Sequence, residues 1–194
     1  MSARATTRPG GRSARVQQSV HQAVRDLEAE VGRDALTVPL IAACAGVTPS
    51  TVYRRWRDLR ELLSDVAVER LRPDGAPADH GSLRADLEAW AAQFAEEMSS
   101  TAGHTYIRDA LLGDPEQGNA VRCSDYAAEQ LKAIGVRAAG RGEAVPEVEI
   151  LLDVVVAPLM YRILFRPSDL SEAYSDHLVS TALAQRSAPS EPKS

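Results

Sequence analysis

The segment that most constrains this chain is TVPLIAACAGVTPSTVYRRW, which spans residues 37–56. Its first threonine can cap a short helix over 38–44, where a proline in the first turn is tolerated. Gly46 permits a tight turn after this helix, because glycine adopts a positive φ without a steric penalty. Thr48 can then cap a second helix that begins at Pro49, since the first helical position favours proline. The segment therefore predicts a helix-turn-helix.

The two helices of this segment have an apolar side and a polar side. The residues expected to face the interior are Leu40, Ile41, Ala43, Cys44, Val47 and Val52. The residues expected on or near the outer side of the second helix are Pro49, Ser50, Thr51, Tyr53, Arg54 and Arg55. Short hydroxyl side chains at a helix start let the backbone enter the major groove of DNA, and arginine and tyrosine suit flanking phosphates. A helical hairpin whose polar side is only solvated would share this pattern.

Charge is distributed unevenly along the chain. Residues 1–60 contain ten arginines and five acidic residues, a net charge of +5. Residues 61–194 carry a net charge of −10, so the whole chain has −5. A basic first third on an acidic remainder favours a polyanionic partner for the first third alone. The charge therefore favours DNA binding over a solvated hairpin.

Helical periodicity continues on both sides of the helix-turn-helix. Ser13 can cap a first helix that ends at Gly32, and residues 1–12 are expected to form a disordered basic arm. Asp58, with a glutamate three residues later, resembles a capping box and predicts a fourth helix that extends to about residue 72. The loop at 73–81 is the expected domain boundary.

Five further segments are helical by pattern. They lie at 82–99, 105–112, 115–134, 146–165 and 168–186. Residues 136–145 are expected to form a loop, and residues 187–194 a disordered tail. No run of alternating strand residues occurs, so the sequence predicts an all-α fold of about nine helices. The expected domains are a DNA-binding domain at 13–72, which includes the fourth helix, and a C-terminal regulatory and dimerisation domain at 82–186.

Residues 13–72 resemble the N-terminal domain of the TetR family of transcriptional regulators, and AGVTPSTVYRRW followed by RDLRELL carries the match. The resemblance implies a three-helix DNA-binding unit whose third helix reads the operator. It implies that Thr37 and Thr48 lie near phosphates and that Tyr53 contacts a phosphate. It also implies a groove-facing set formed by Pro49, Ser50, Thr51 and Arg54. Trp56 stands where an aromatic residue of the family closes the helix.

Two positions depart from the family pattern. Leu59 stands where a phosphate-binding lysine is common at the start of the fourth helix, and Arg60 beside it is expected to replace that contact. Pro39 stands where the family often has a polar residue able to reach a base. The third helix is therefore expected to dominate sequence specificity.

Residues 148–165 (VEILLDVVVAPLMYRILF) are apolar nearly all round, which predicts a helix buried on more than one side. It is either the central helix of a monomer or a helix shared between its own core and a second subunit. The final helix carries an apolar stripe of Leu170, Ala173, Tyr174, Leu178, Val179, Ala182 and Leu183. The family resemblance implies that the eighth and ninth helices of two subunits form a four-helix bundle. We therefore expect a homodimer that binds a palindromic operator in double-stranded DNA.

The middle helices carry aromatic and apolar side chains that suit a ligand pocket. The expected lining residues are Trp90, Phe94, Met98, His104, Tyr106, Tyr126, Leu152 and Tyr161. The expected ligand is a small hydrophobic molecule that releases the repressor from DNA, since few basic residues fall among these positions. Alternatively, these side chains form an ordinary core, which would leave a repressor that responds to no ligand.

Other functional classes find little support in the sequence. The four histidines are scattered, and the two cysteines lie far apart without metal-ligand spacing, so we expect neither a metal nor another cofactor. Reduced thiols, and the lack of a signal sequence or a membrane-length apolar run, favour a cytoplasmic protein without membrane contact. No nucleophile–base pair or pair of acids indicates an enzyme. A helical adaptor that binds protein and has lost DNA binding remains an alternative, suggested by Leu59 and Pro39.

Overall fold

The computed structural model describes residues 11–113 and 118–185, and this part of the chain consists of helices and short connections without a β-strand. The N-terminal helices are α1 (Arg12–Val31), α2 (Val38–Cys44), α3 (Pro49–Arg55) and α4 (Leu59–Leu71). The C-terminal helices are α5 (Leu83–Ser99), α6 (Thr101–Leu112), α7 (Gly118–Gly140), α8 (Val148–Leu151), α9 (Ala157–Phe165) and α10 (Glu172–Gln185). A π turn, Leu152–Val156, joins α8 to α9 without a break, so the described residues form nine helical segments. The predicted all-α fold is confirmed.

Local capping explains where two of the N-terminal helices begin. The Thr37 hydroxyl accepts a hydrogen bond from the Leu40 N–H at 3.3 Å, and the Asp58 carboxylate accepts one from the Glu61 N–H at 2.9 Å. These side chains satisfy N–H groups that have no partner within the helix. Gly46 has a φ of 68° in the turn between α2 and α3, which glycine tolerates. The predicted starts of α2 and α4 and the predicted turn are confirmed.

Two predicted caps differ in the structure. The helix α1 begins one residue before Ser13, which therefore lies inside the helix and is not its cap. Thr48 does precede α3, but its hydroxyl bonds to the Ser50 and Thr51 hydroxyls, at 2.9 and 3.0 Å, and to no backbone N–H. Side-chain hydroxyls this close in sequence compete with the backbone for hydrogen bonds. The helix nevertheless starts at Pro49 as predicted, because proline has no N–H to satisfy there.

The interior face of α2 differs in part from the prediction. Its buried residues are Val38, Ile41 and Ala42. Its exposed residues include Leu40, Ala43 and Cys44, so their predicted interior positions were wrong. Successive residues of an α-helix are about 100° apart around its axis. When residues 38, 41 and 42 face the core, residues 40, 43 and 44 therefore face solvent. Val52 of α3 is fully buried, as predicted.

Three helix boundaries in the C-terminal part differ from the prediction. The helix α6 begins four residues early, because the Ser100 hydroxyl accepts a hydrogen bond from the Gly103 N–H at 2.9 Å. The helix α7 continues to 140 where a loop was predicted from 136, since Gly135 and Ala138 are buried along its inner side. The last helix begins at 172, because Pro167–Asp169 forms a 3-10 turn. The predicted start of α7 at 115, most of the arm at 1–12 and the tail at 187–194 lie outside the described residues.

The apolar segment 148–165 forms one continuous helix with a π turn in its middle. The Ala157 N–H bonds to the Leu152 carbonyl five residues back, and Pro158 follows without an N–H to donate. One side of this helix is part of the core of its own chain, through Leu151, Val155, Leu159 and Ile163, which are at most 1% exposed. The opposite side of α9 is exposed. The helix is therefore central in the fold of this chain and still presents an outer face.

The final helix α10 packs in the same core beside α5. The residues of its apolar stripe that are buried there are Leu178, Val179, Ala182 and Leu183. These four residues belong to the core of their own chain. Ala173 of the same stripe is exposed, and Tyr174 is half-buried.

The helix α4 joins the N-terminal core to the C-terminal helices by packing against α6. Ser64 of α4 is fully buried and donates a hydrogen bond to the Ala110 carbonyl at 3.3 Å. Gly113, just after α6, lies against the backbone of α4. Arg33, which follows α1, forms an ion pair with Asp109 of α6 at 2.6 Å. Close packing and polar contacts therefore both connect the two parts.

A buried carboxylate fixes the loop between α4 and α5. Asp86 of α5 is 1% exposed and accepts hydrogen bonds from the His80 N–H at 2.6 Å and from Arg141 at 3.0 Å. Arg137 donates to Asp86 and to the Pro77 carbonyl at 2.8 Å. Burial alone would raise the pKa of Asp86, but these hydrogen bonds hold it below its usual value. The loop is thus bound to the C-terminal end of α7.

None of the helices in 11–113 and 118–185 is long and apolar enough to cross a membrane. The same residues contain no group of three or more His, Cys, Asp or Glu side chains placed to hold a metal. Cys44 and Cys123 are free thiols, and burial raises the pKa of Cys123.

Candidate nucleic-acid interface and ligand cavity

The helix α3 presents a polar face to solvent. Pro49, Ser50, Tyr53 and Arg54 are exposed, and Thr51 is half-buried. Among the residues described by the structure, none forms a hydrogen bond or an ion pair with the side chain of Tyr53 or Arg54. These two side chains are therefore available to a partner molecule.

Arg55 is turned toward α1 instead. Its guanidinium donates hydrogen bonds to the Ser13 hydroxyl at 2.8 Å and to the side-chain carbonyl of Gln17. It also lies over the Trp56 ring, with 5.2 Å between the guanidinium carbon and the ring centroid, in the geometry of a cation–π contact. Arg55 thus links α3 to α1 and is set apart from the outward-facing Tyr53 and Arg54.

A polar cluster that the sequence pattern did not reveal lies beside the C-terminal end of α3. The Asp65 carboxylate of α4 accepts hydrogen bonds from Gln17 at 2.8 Å, His21 Nε2 at 3.0 Å and Trp56 Nε1 at 3.1 Å. Burial alone would raise the pKa of Asp65, but His21, Trp56 and Gln17 together lower it to about 2. The carboxylate is therefore ionised at neutral pH and can only accept, so His21 carries a proton on Nε2.

The remaining residues expected near DNA lie at the starts of α2 and α4. Thr37 is exposed, and its hydroxyl is already the acceptor that caps α2. Arg60 is exposed in the first turn of α4. Leu59 packs partly buried against the N-terminal core, so this position contributes packing where the family often has a lysine. Pro39 is exposed in the first turn of α2.

A cavity of about 870 Å³ lies among α4, α5, α6, α7 and the helix formed by 148–165. The residues expected to line a pocket that do border this cavity are Trp90, Phe94, Met98, Tyr106, Tyr126 and Leu152. His104 and Tyr161 do not border it. Tyr161 is 55% exposed on the outer side of α9, with its ring centroid 5.4 Å from that of Phe165.

The wall of the cavity is apolar inside and carries charges of both signs. Trp90 and Phe94 are stacked, with 5.2 Å between ring centroids and 20° between ring planes. The charged residues that line it are Glu69, Arg70, Arg72, Asp74 and Glu97. Arg70 lies beside Tyr106 and donates a hydrogen bond to its hydroxyl at 3.4 Å. Lining residues that the sequence pattern missed include the loop at 73–78, Val156 and Met160.

Comparison with protein families assigns this arrangement to a known class. Residues 22–66 match the family model of bacterial regulatory proteins, tetR family. Residues 77–182, more than half of the chain, match the model of the tetracyclin repressor-like C-terminal domain. The chain belongs to the TetR family. The family predicted from the helix-turn-helix is therefore confirmed.

Individual proteins resemble this TetR-family chain over most of its length. The HTH-type transcriptional regulator YdeS of Bacillus subtilis is 27% identical over 173 residues, which cover 85% of this chain and 86% of YdeS. The DNA-binding transcriptional repressor TetR of Mycobacteroides abscessus is 29% identical over 160 residues, which cover 78% and 83% of the two chains. The crystal structure of the TetR family transcription regulator SCO0332 has 27% identity and a TM-score of 0.64, and the match covers 90% of this chain and 99% of that one. As a TetR-family member, the protein is a DNA-binding transcriptional regulator and not an enzyme.

Proposed function

We propose that this TetR-family regulator represses transcription as a homodimer on a palindromic operator, and that a hydrophobic small molecule releases it. The outward-facing pair Tyr53 and Arg54 on α3 carries the DNA-binding part of the proposal. A guanidinium can contact two acceptors of a guanine, and a tyrosine hydroxyl suits a phosphate oxygen. Pro49, Ser50 and Thr51 are assigned to the groove, and Thr37, Thr48 and Arg60 to phosphates.

We expect Arg54→Ala to weaken specific operator binding by about 1–3 kcal/mol, because a direct contact with DNA is lost. The operator is first obtained by selection from a random duplex library with the wild-type protein. The enriched duplex is then titrated at fixed salt, since phosphate contacts make the affinity salt-dependent. Arg84→Ala is the matched control, because Arg84 is an exposed arginine on α5 and should leave the affinity unchanged. Failure of the wild type to enrich any motif would contradict the proposal.

The proposed dimer surface is the outer side of α9. Tyr161, Leu164 and Phe165 are 55%, 38% and 69% exposed, and their i, i+3, i+4 spacing places them side by side. An exposed apolar patch of this kind is typical of a protein–protein interface. Two recognition helices are needed to read the two halves of a palindrome. We therefore assign dimerisation chiefly to α9, with less from α10 than the family resemblance implies.

The effector part of the proposal rests on the cavity. Its interior is aromatic and aliphatic, and its charges are mixed in sign, which suits an uncharged lipophilic molecule better than a polyanion. The C-terminal end of α4 borders the cavity, and the same helix packs in the N-terminal core. A ligand that prefers a dimer conformation unsuited to the operator would release DNA, with a coupling free energy typically of about 1–3 kcal/mol.

We expect a lipophilic aromatic compound from a broad panel to change the fluorescence of Trp90, because Trp90 lines the cavity. The Trp56→Phe variant isolates that signal, while melting temperature and operator release are measured on the wild type. Ala120→Phe is the control, because Ala120 lines the cavity and a larger side chain there should narrow it and weaken the response without adding a second tryptophan. A panel without any effect on fluorescence, melting temperature or operator binding would leave a ligand-independent repressor.

A further inference from the structure

We propose that Asp65 is a positioning residue, which holds the recognition helix α3 in the orientation that reads DNA bases and does not contact DNA itself. The inference rests on the proposed operator binding by α3. This helix has only seven residues, and Val52 is its one buried residue. A helix this short is marginal on its own, so neighbouring elements must set its orientation.

The Asp65 carboxylate links α4 to two other elements through one oxygen atom. Its Oδ2 accepts from Gln17 and His21, which lie one turn apart on α1, and from Trp56, which closes α3. His21 and Trp56 are 4% and 3% exposed, and the Asp65 side chain is 15% exposed. Hydrogen bonds that are shielded from water in this way hold geometry more firmly than exposed ones. Helices α1, α3 and α4 are therefore joined at a single buried acceptor.

A second connection runs from α3 to the same carboxylate through Gln17. The Arg55 guanidinium donates to Gln17 Oε1, while Gln17 Nε2 donates to Asp65 at 2.8 Å. The two contacts use opposite ends of the Gln17 amide and so fix its orientation. Arg55, the last residue of α3, and Trp56, the next residue, both depend on Asp65.

A carboxylate suits this position better than its neutral amide. Three N–H donors that converge on one oxygen require a strong acceptor, and hydrogen bonds to an ionised carboxylate are about twice as strong as neutral ones. Asparagine at position 65 would keep the side-chain volume but would supply a weaker acceptor and an N–H group of its own. Asp65→Asn therefore weakens the connection without creating a cavity.

Arg122 of α7 provides a matched control, because it also approaches Asp65 by a weaker contact. Its Nη1 lies 3.4 Å from Asp65 Oδ1, and its side chain is 45% exposed. Exposed ion pairs contribute little to structure. Arg122→Gln therefore removes a partner of the same carboxylate and leaves the three other donors in place.

The test compares specific with non-specific DNA binding. The probes are the duplex enriched by the wild-type protein from a random library and a scrambled duplex of the same length and composition. We expect Asp65→Asn and Trp56→Phe to lower the ratio of specific to non-specific affinity by about tenfold or more, because a misoriented helix keeps its phosphate attraction but loses its base contacts. Arg122→Gln should keep the ratio within about twofold of the wild type.

Partial unfolding lowers both affinities equally, so the ratio distinguishes positioning from stability. If Asp65→Asn does not fold, Trp56→Phe alone tests the positioning role, because this variant removes one N–H donor to Asp65 and keeps an aromatic ring. An unchanged ratio in Trp56→Phe, or in folded Asp65→Asn, overturns the inference. A wild-type protein that enriches no motif overturns the proposed function itself, and this inference with it. The two failures are therefore distinct.

Discussion

Phe165→Arg should convert the regulator to a monomer and lower its operator affinity by roughly two orders of magnitude. Phe165 is 69% exposed in one subunit, and the proposed two-fold contact would place it against the same surface of the partner. Paired arginines there would repel each other and would lose water without gaining a counter-ion. A monomer also loses the gain that comes from two linked half-site contacts. Sedimentation velocity and titration of the enriched duplex measure the two effects.

Val136→Arg is the matched control for this experiment. Val136 is 67% exposed on α7, a different helix from the proposed surface, so this variant should remain dimeric and bind DNA normally. Arginine at Val155 or Leu159 would not test dimerisation. These residues are 1% and 0% exposed in their own subunit, so a buried charge there would unfold the protein. A dimeric Phe165→Arg protein with normal operator affinity would contradict the assignment to α9.

Gly113→Ala should destabilise the protein by about 1–3 kcal/mol, the typical cost of overpacking. The backbone at Gly113, with φ −91° and ψ −7°, is open to any residue, so the cost comes from lack of space. An added Cβ would meet the Arg60 carbonyl and lie 2.6 Å from Ser64 Cβ. The end of α6 would have to move away from α4. Thermal denaturation should show a midpoint several degrees lower than that of the wild type.

Gly140→Ala separates this steric effect from the general effect of replacing glycine. Gly140 is the last residue of α7, and no atom lies within 4 Å of an added Cβ. Alanine there should stabilise the protein by about 0.4–1 kcal/mol, because it reduces the entropy of the unfolded chain. Equal changes at both positions would contradict the close packing of Gly113 against α4.

The N-terminal helices were predictable because their signals are local. Thr37, Gly46, Pro49 and Asp58 each act within four residues of their own position, so sequence spacing reveals them. The end of α7 was not predictable in this way. Its last turns bury Ala138 instead of a large apolar residue, and contacts with the distant α4–α5 loop support them.

The residues of the candidate sites likewise differ in whether local sequence spacing predicts them. Helical spacing placed Tyr53 and Arg54 on the outer side of α3, because facing solvent requires no knowledge of other helices. The contacts of Asp65 come from residues 9 to 57 positions away in the sequence, and no periodic pattern indicates them. Tyr161 was expected at the ligand because it is aromatic, yet its position on α9 is set by the core residues on the other side of that helix.

The helix formed by 148–165 has the cavity on one side and the proposed dimer surface on the other. Met160 lines the cavity, and Tyr161, the next residue, lies on the outer side. Because closely packed interiors transmit strain, a displacement of Met160 by a ligand would also move Tyr161. Linkage then acts in both directions, so that dimerisation changes the affinity for the ligand by the same factor by which the bound ligand changes the affinity of one subunit for the other. The amount of regulator in a cell would thus set how much of the proposed ligand is needed, and a cell could change its response by changing expression of the regulator alone.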